Sequence, residues 1–345
     1  MADYTLGLFA NLYPRYEGDS RGIFVKRMVD SLEKNGVRVI KAVKKSTSPS
    51  AYLSFYTDSV IKSFNEDIDI FQAEYIPHSS IIPALMKGKK PLVLKFHGDD
   101  GLIYPYKNHF NRALFNHSVS HADHIITCSK ALKSSLISLG VKPDKITPIA
   151  NGVDTNRFRP MNKQICRDNF KIPGESCVCL YAGRIHPMKG IFEIIESAKL
   201  NSDVTFIFGG PGPVPNHPEN CIFLGDINPE NMPLLMNAAD FLVLPSHSEG
   251  LGLVLLESLA CEVPVIASSV GGCPEIVKNK ESGFLVTPKN VEELSKSIKI
   301  LKNNPDLREK MGKEGRKDIL TNYDSEVLNS QLISVHKKLI EAGKA

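Results

Sequence analysis

Short, uninterrupted apolar runs recur along this chain, each separated from the next by a segment with helical spacing. That alternation constrains the fold more than any other feature. A strand apolar on both faces must be covered on both faces. Helices between successive strands supply that cover in a parallel sheet. In the first half the runs are Tyr4–Ala10, Val37–Ile40, Ile68–Gln72, Pro91–Phe96, His124–Cys128 and Lys145–Ile149. Helices are expected between them over Ile23–Asn35, Tyr52–Ser63, Ser80–Met86, Asn108–Ser120 and Ala131–Leu139. The first carries Ile23, Met28 and Leu32 at helical spacing and has Gly36 as its C-terminal stop.

Asn151–Met161 reads as a linker, after which a second series begins. Its strands are expected at Cys177–Tyr181, Val204–Phe208, Cys221–Phe223, Phe241–Leu244, Val265–Ala267 and Phe284–Val286. Its helices are expected at Gly190–Leu200, Pro229–Ala238, Gly252–Ala260, Cys273–Val277 and Val291–Leu301, with a helical tail over Glu309–Ile319 and Ser325–Ala342. The expected fold is α/β: two Rossmann-like, doubly wound domains facing a central cleft, at the carboxyl ends of the strands where such sheets take their ligands.

The length of 345 residues suits two domains of ordinary size. No apolar run approaches the roughly 20 residues a membrane-spanning helix needs. The longest, Leu251–Ala267, is interrupted by Glu257, Glu262 and Pro264. Asp3 and Asn11 spoil the pattern of a secretory signal. Seven cysteines without paired spacing, and no Cys-x-x-Cys, argue against a disulfide framework or a zinc site. A cytoplasmic protein is expected. The net charge of +4 is uneven: residues 1–150 hold 20 basic against 14 acidic side chains, the remainder 22 against 24. Nothing resembles a nucleic-acid-binding stripe, so no nucleic-acid partner is expected. The clusters Lys41, Lys44, Lys45 and Lys87, Lys89, Lys90 are either solvated connections or a surface for anionic headgroups at the inner face of a membrane.

Chemistry concentrates where strands give way to glycine-rich turns. After Leu244 comes Pro-Ser-His-Ser-Glu249-Gly250-Leu251-Gly252, opening a helix that carries Glu257 in its second turn. Free N–H groups at a helix start favour an anion such as phosphate. Glu257 leans back toward the same place, and two carboxylates suit the adjacent hydroxyls of sugars. Taken alone, this pattern reads first as a helix entry with one capping Glu and one solvated Glu, because acidic residues in a first turn are common. The segment Gly183-Arg184-Ile-His-Pro-Met-Lys189-Gly190 places a guanidinium and an ammonium at another strand end. They are able to compensate the charge of a departing diphosphate without a metal, or they are two surface cations. Gly209-Gly210-Pro-Gly212 and Gly271-Gly272 are further turns at the same edge, lining it or merely connecting. His117, His121 and His124 have helical spacing, but the helix is expected to end before His124, so surface and packing roles are preferred to a metal site. His186 and His247 adjoin the two key loops without being needed by them, and Asp99 and Asp100 either position an acceptor or are loop acids.

Glu249 and Glu257 stand in Glu-x7-Glu spacing. With Gly183-Arg184…Lys189-Gly190, Gly209-Gly210-x-Gly212, Pro264-Val-Ile-Ala and Gly271-Gly272-x-Pro-Glu275, the chain resembles the family 4 retaining glycosyltransferases of the GT-B fold. Asn151-Gly-Val-Asp154 with Phe158 is similar to that family's interdomain segment. The resemblance implies an N-terminal acceptor-side domain over residues 1–155, a donor-binding domain over 156–324, and a C-terminal helix over about 325–345 packing back on the first. It implies that Arg184 and Lys189 grip the donor diphosphate, with phosphate contacts from the N–H groups of Leu251 and Gly252. Glu249 would bind the donor sugar, Glu257 the ribose, and the Ile227 backbone the base. Gly183, Gly210 and Gly250 would line the donor site, and His97 would sit beside the transferred sugar. Gly18 and Gly22 occupy the family's first glycine-rich loop, though the adjacent glycine pair is missing. Glu262 replaces the glycine that commonly ends the motif helix.

The implied activity is that of a retaining hexosyltransferase, moving sugar from a nucleotide-diphosphate sugar to a hydroxyl acceptor: a sugar, a lipid-linked sugar or a lipid. No cofactor and no essential metal are expected. The implied setting is cell-envelope polysaccharide, glycolipid or glycoconjugate synthesis, with a peripheral membrane contact as one expectation. The alternatives are a nucleotide-sugar epimerase or phosphorylase on the same fold, or a non-catalytic nucleotide-sugar-binding protein.

Overall fold

The computed structural model describes residues 4–344. The chain forms two compact units. One comprises the described residues up to Asn151 together with Ser325 onward, the other Gly152–Asp324.

In the first unit, strands β1 (Thr5–Ala10), β2 (Arg38–Val43), β3 (Ile70–Glu74), β4 (Leu92–Phe96), β5 (His124–Thr127) and β6 (Ile146–Pro148) make one sheet in the order β2-β1-β3-β4-β5-β6. Every neighbouring pair is parallel. Helices α1 (Ile23–Lys34), α2 (Ala51–Asn65), α3 (Ile81–Met86), α4 (Asp99–Leu102), α5 (His109–His121) and α6 (Lys130–Ser138) fall between the strands. The apolar runs behave as their composition dictates: every residue of β3 and β4 is buried. Gly36 follows α1 in the left-handed region at φ 84°, and the Val37 N–H donates to the Leu32 carbonyl, closing the helix end.

In the second unit, β7 (Cys177–Ala182), β8 (Val204–Gly209), β9 (Cys221–Gly225), β10 (Phe241–Leu244), β11 (Val265–Ser268) and β12 (Gly283–Val286) make a second parallel sheet, ordered β12-β11-β10-β7-β8-β9. The helices are α7 (Lys163–Asn169), α8 (Ile191–Lys199), α9 (Met232–Ala238), α10 (Leu253–Ala260), α11 (Cys273–Ile276), α12 (Val291–Asn303) and α13 (Pro305–Asn322). The last helix of the chain, α14 (Ser325–Lys344), belongs to the first unit, where Leu328, Leu332 and Ile340 join the core formed with β1 and α1.

Two expectations need correction. Asn151–Met161 is not a free linker. The Val153 N–H donates to the Tyr323 carbonyl, Thr155 Oγ1 donates to Asp324 Oδ2 at 2.5 Å, and Phe158 is fully buried. From Gly152 onward the segment is thereby anchored to the second unit, which begins there. Helix α7 was not expected either. It is capped by the Asn162 side chain and buries Arg167 against Asp240 at 2.8 Å, an anchor that apolar periodicity does not reveal.

Candidate functional site

In the second unit, the chain runs outward from β7 through β8 to β9 on one side, and through β10 and β11 to β12 on the other. The switch point lies between β7 and β10, and the crevice at their carboxyl ends is where this topology takes a ligand. The two segments singled out by composition leave the sheet at that place.

Lys189 ends a single helical turn after β7 and reaches across the crevice, its Nζ 2.7 Å from Glu249 Oε1. Ser246 Oγ donates to the same oxygen at 2.8 Å. The pair is partly shielded, with 26% of the lysine and 11% of the glutamate side chain exposed. The loop after β10 is fastened to the start of α8 at two further points. The His247 N–H donates to the Met188 carbonyl at 2.9 Å, and His247 Nε2 lies 2.7 Å from Glu193 Oε1. Gly190 packs so tightly on the Pro245 carbonyl that a Cβ would overlap it, and Gly271 presses equally closely on the carbonyl of Glu249. These two glycines set the spacing of the loops that carry Lys189 and Glu249.

Arg184 follows β7 and is exposed. Tyr181 reports the field of the site: burial raises its pKa first, the Glu249 charge raises it further, and Arg184 lowers it. Cys273 responds in the same way, raised by burial and Glu249 and lowered by Lys189. Gly183 donates its N–H to the Gly209 carbonyl, and Gly210 donates to Gly225, carrying the sheet past its formal end. Gly250 lies in the loop, and the Leu251 side chain is buried. Gly252 is the N-cap of α10, so no side chain caps the helix that begins there. Glu257 lies half-buried in its second turn, and Ile227 is buried against Gly209. The structure thus brings Lys189, Glu249 and the start of α10 to one strand edge, with Arg184 following β7. Sequence reasoning missed Ser246 and Glu193. Ser246 lies inside the motif loop, whereas Glu193, on the first turn of α8, carried no signal.

In the first unit, His97 follows β4. Its Nε2 is 2.5 Å from Glu74 Oε2 and its Nδ1 accepts from Asn151 Nδ2 at 3.1 Å, which puts the ring proton on Nε2. Phe24 and Tyr75 pack on the ring at 4.9 and 4.6 Å between centroids. Glu74 belongs to a buried chain. Gln72 bonds to Glu74 and to His336 of α14, and His336 bonds to the Tyr4 hydroxyl. Burial tends to raise the Glu74 pKa, but His97, Lys95 and Gln72 together bring it below its ordinary value. Burial lowers Lys95, with Glu74 opposing. Glu74 was missed because the strand was expected to end at Gln72, two residues before it. Asp100 is a structural acid, buried and accepting N–H groups from His97, Gly98 and Ile76. Gly18 lies in a turn held by the buried Asp19, and Gly22 precedes α1, where a Cβ would strike the Leu12 carbonyl.

Among the described residues, no three His, Cys, Asp or Glu side chains converge as metal ligands. His124 sits on β5 and pairs with Thr147, apart from His117 and His121, whose tilted rings lie 4.3 Å from each other. No described helix is long and apolar enough to cross a membrane. Lys41 and Lys87 are ion-paired to Glu33 and Asp123, which weakens the charge of both clusters.

Two Rossmann-like parallel sheets in one chain are the architecture of the GT-B class, and the solved structures agree. HepE from Anabaena, in complex with UDP and glucose, superposes with a TM-score of 0.81 at 19% identity, covering 97% of this chain and 100% of that one. The chain belongs to the group 1 glycosyl transferases of family 4: residues 162–318 match the profile for glycosyl transferases group 1, and residues 14–157 that for glycosyltransferase family 4. An uncharacterized glycosyltransferase of Methanocaldococcus jannaschii, MJ1178, is 33% identical over 264 residues, spanning 73% of this chain and 70% of that protein. The capsular polysaccharide biosynthesis glycosyltransferase CapM of Staphylococcus aureus is 29% identical over 64% of this chain and 63% of its own length.

Proposed function

We propose that the chain is a retaining, metal-independent hexosyltransferase that moves a sugar from a nucleoside-diphosphate sugar to a hydroxyl acceptor in cell-envelope polysaccharide or glycoconjugate synthesis. The observation that carries this reading is the Lys189–Glu249 pair at the switch point, at 2.7 Å, beside a helix start that no side chain caps. The complex of HepE with UDP and glucose supports a nucleotide-sugar donor, and CapM supports the polysaccharide setting. In this reading the second unit binds the donor and the first the acceptor.

The diphosphate lies against the start of α10. Arriving phosphate oxygens draw Lys189 away from Glu249, and the freed carboxylate accepts from hydroxyls of the donor sugar. Arg184 and Lys189 then stabilise the charge that grows as the bond from the anomeric carbon to the diphosphate oxygen breaks, its electron pair leaving with the diphosphate. The acceptor hydroxyl attacks the oxocarbenium-like carbon from the face the diphosphate leaves. Its proton passes to the departing phosphate oxygen, so configuration is retained. Glu74 keeps Nε2 of His97, and Nδ1 is the nitrogen able to exchange from Asn151 onto a sugar hydroxyl. Glu257 takes the ribose and the Ile227 backbone the base.

The test is titration of the full chain with UDP and GDP, then NMR of the anomeric proton of a product made without metal and with EDTA. Retention and indifference to EDTA are expected. An inverted product rejects the mechanism, and absence of any nucleotide binding rejects the donor site.

A further inference from the structure

The first unit has its own switch point, between β1 and β3, and a pocket of about 430 Å3 opens there. Its walls are unusually aromatic. Tyr52, Tyr75, His78 and Tyr104 all line it. The His78 ring lies 5.0 Å from Tyr52 and 5.8 Å from Tyr104, centroid to centroid. Tyr52, His78 and Tyr104 remain partly exposed at the opening, whereas Tyr75 also packs on the core of the unit. The Tyr104 hydroxyl meets His78 Nε2 only at 3.5 Å, and the Tyr56 hydroxyl meets Nδ1 only at 3.4 Å, so both imidazole nitrogens gain by turning to a ligand hydroxyl.

Two cations complete the wall, Lys44 and Lys107. Lys44 Nζ stands 4.0 Å over the centre of the Tyr52 ring. Among the described residues neither lysine is paired with a carboxylate. Asp100, also in the lining, spends its carboxylate on the backbone of His97, Gly98 and Ile76, leaving exposed Asp99 as the other acid of the lining. A pyranose offers apolar C–H faces that stack on aromatic rings and hydroxyls that bond to phenol and imidazole. The unpaired ammonium groups ask in addition for an anion. Tyr75, whose ring packs on His97, is a wall shared with the histidine that the family resemblance sets beside the transferred sugar.

We propose that this pocket is the acceptor subsite and that the acceptor is an anionic carbohydrate, its ring on the tyrosines and its carboxylate or phosphate met by Lys44 and Lys107. This rests on the glycosyltransferase reading above and adds the chemical class of the acceptor.

The test is saturation-transfer NMR on the full chain with three probes: methyl glucoside, methyl glucuronide and glucose 6-phosphate, with inorganic phosphate as competitor. An anionic sugar is expected to bind at least tenfold more tightly than the neutral one, and which anion wins separates carboxylate from phosphate. Tyr104→Ala is expected to abolish the ring-proton signals and Tyr104→Phe to keep them. Lys44→Met with Lys107→Met is expected to reduce the preference to less than twofold. Equal binding of the neutral sugar, indifference to all the variants, or inorganic phosphate binding as tightly as glucose 6-phosphate would each overturn the proposal. UDP is titrated into the same samples. GDP is titrated as well; intact binding of either nucleotide confines a failure to the acceptor inference, whereas a wild-type chain that binds neither rejects the donor reading instead.

Discussion

Lys189 and Glu249 hold each other in a partly exposed pair, and such pairs add at most about 1 kcal/mol to stability. Lys189→Met and Glu249→Ala are therefore expected to leave the urea midpoint nearly unchanged while lowering the transfer rate by at least about a hundredfold, the usual cost of losing one preorganised charge contact. Rates within a few fold of wild type would remove both residues from the mechanism. His336 makes the opposite kind of prediction. Burial, reinforced by Lys95 and opposed by Glu74, holds its pKa at about 3 against 6.5 for a free imidazole. Between those values the unfolded chain binds a proton that the folded chain refuses. Its contribution to stability is complete above pH 6.5 and falls as the pH drops toward 3, by up to about 1.4 kcal/mol per pH unit. His336→Gln is expected to flatten that slope in urea unfolding between pH 6 and pH 4. Lys189 and Glu249 were legible from their motifs. Gly271 was legible as a glycine but not as the residue that seats the Glu249 backbone, because its neighbour in space is remote in sequence.

Elements were read well where apolar runs decide them and poorly where polar anchors do. Strands of both sheets fall within a few residues of their expected places, because a buried parallel strand needs nothing beyond an apolar run and a stop. Helix α7 escaped notice because Asn162 and Arg167, rather than an apolar stripe, fix it. The end of α10 shows the reverse. Glu262, noticed as a departure from the family's glycine, takes φ 60° beyond the helix, a conformation that burdens any residue with a Cβ. Glu262→Gly is expected to raise stability by about 1 kcal/mol in urea unfolding, against the usual direction for a glycine substitution. A loss of stability would mean that the left-handed turn is not strained.

At the scale of the molecule, α14 completes the first unit from the far end of the chain. Its Leu328, Leu332 and Ile340 are buried there, and His336 bonds Tyr4 on one side and Gln72 on the other. The second unit has its own sheet and core, formed from Gly152–Asp324. A fragment of residues 152–324 is expected to fold alone and to bind whichever of UDP and GDP the full chain binds, within about fivefold of it. A fragment of residues 1–324 is expected to lose the cooperative melting of the first unit, since removing three buried aliphatic side chains costs about 2–5 kcal/mol each. Calorimetry and titration with UDP and GDP on both fragments check this. A first unit that still melts cooperatively without α14 would reduce the helix to an ornament.

The sequence by itself determined the two parallel sheets, the strand ends that carry Arg184, Lys189 and Glu249, and the helix that carries Glu257, because apolar periodicity, glycine turns and motif spacing are local properties. Only the tertiary structure decided who holds whom. It paired Lys189 with Glu249, tied His97 to Glu74 and Asn151, gathered the tyrosines and lysines at the β1–β3 edge, and withdrew Asp100 into the backbone. Those pairings join residues from different strands and loops, and the order of strands in a sheet, which makes them neighbours, is written in no single segment.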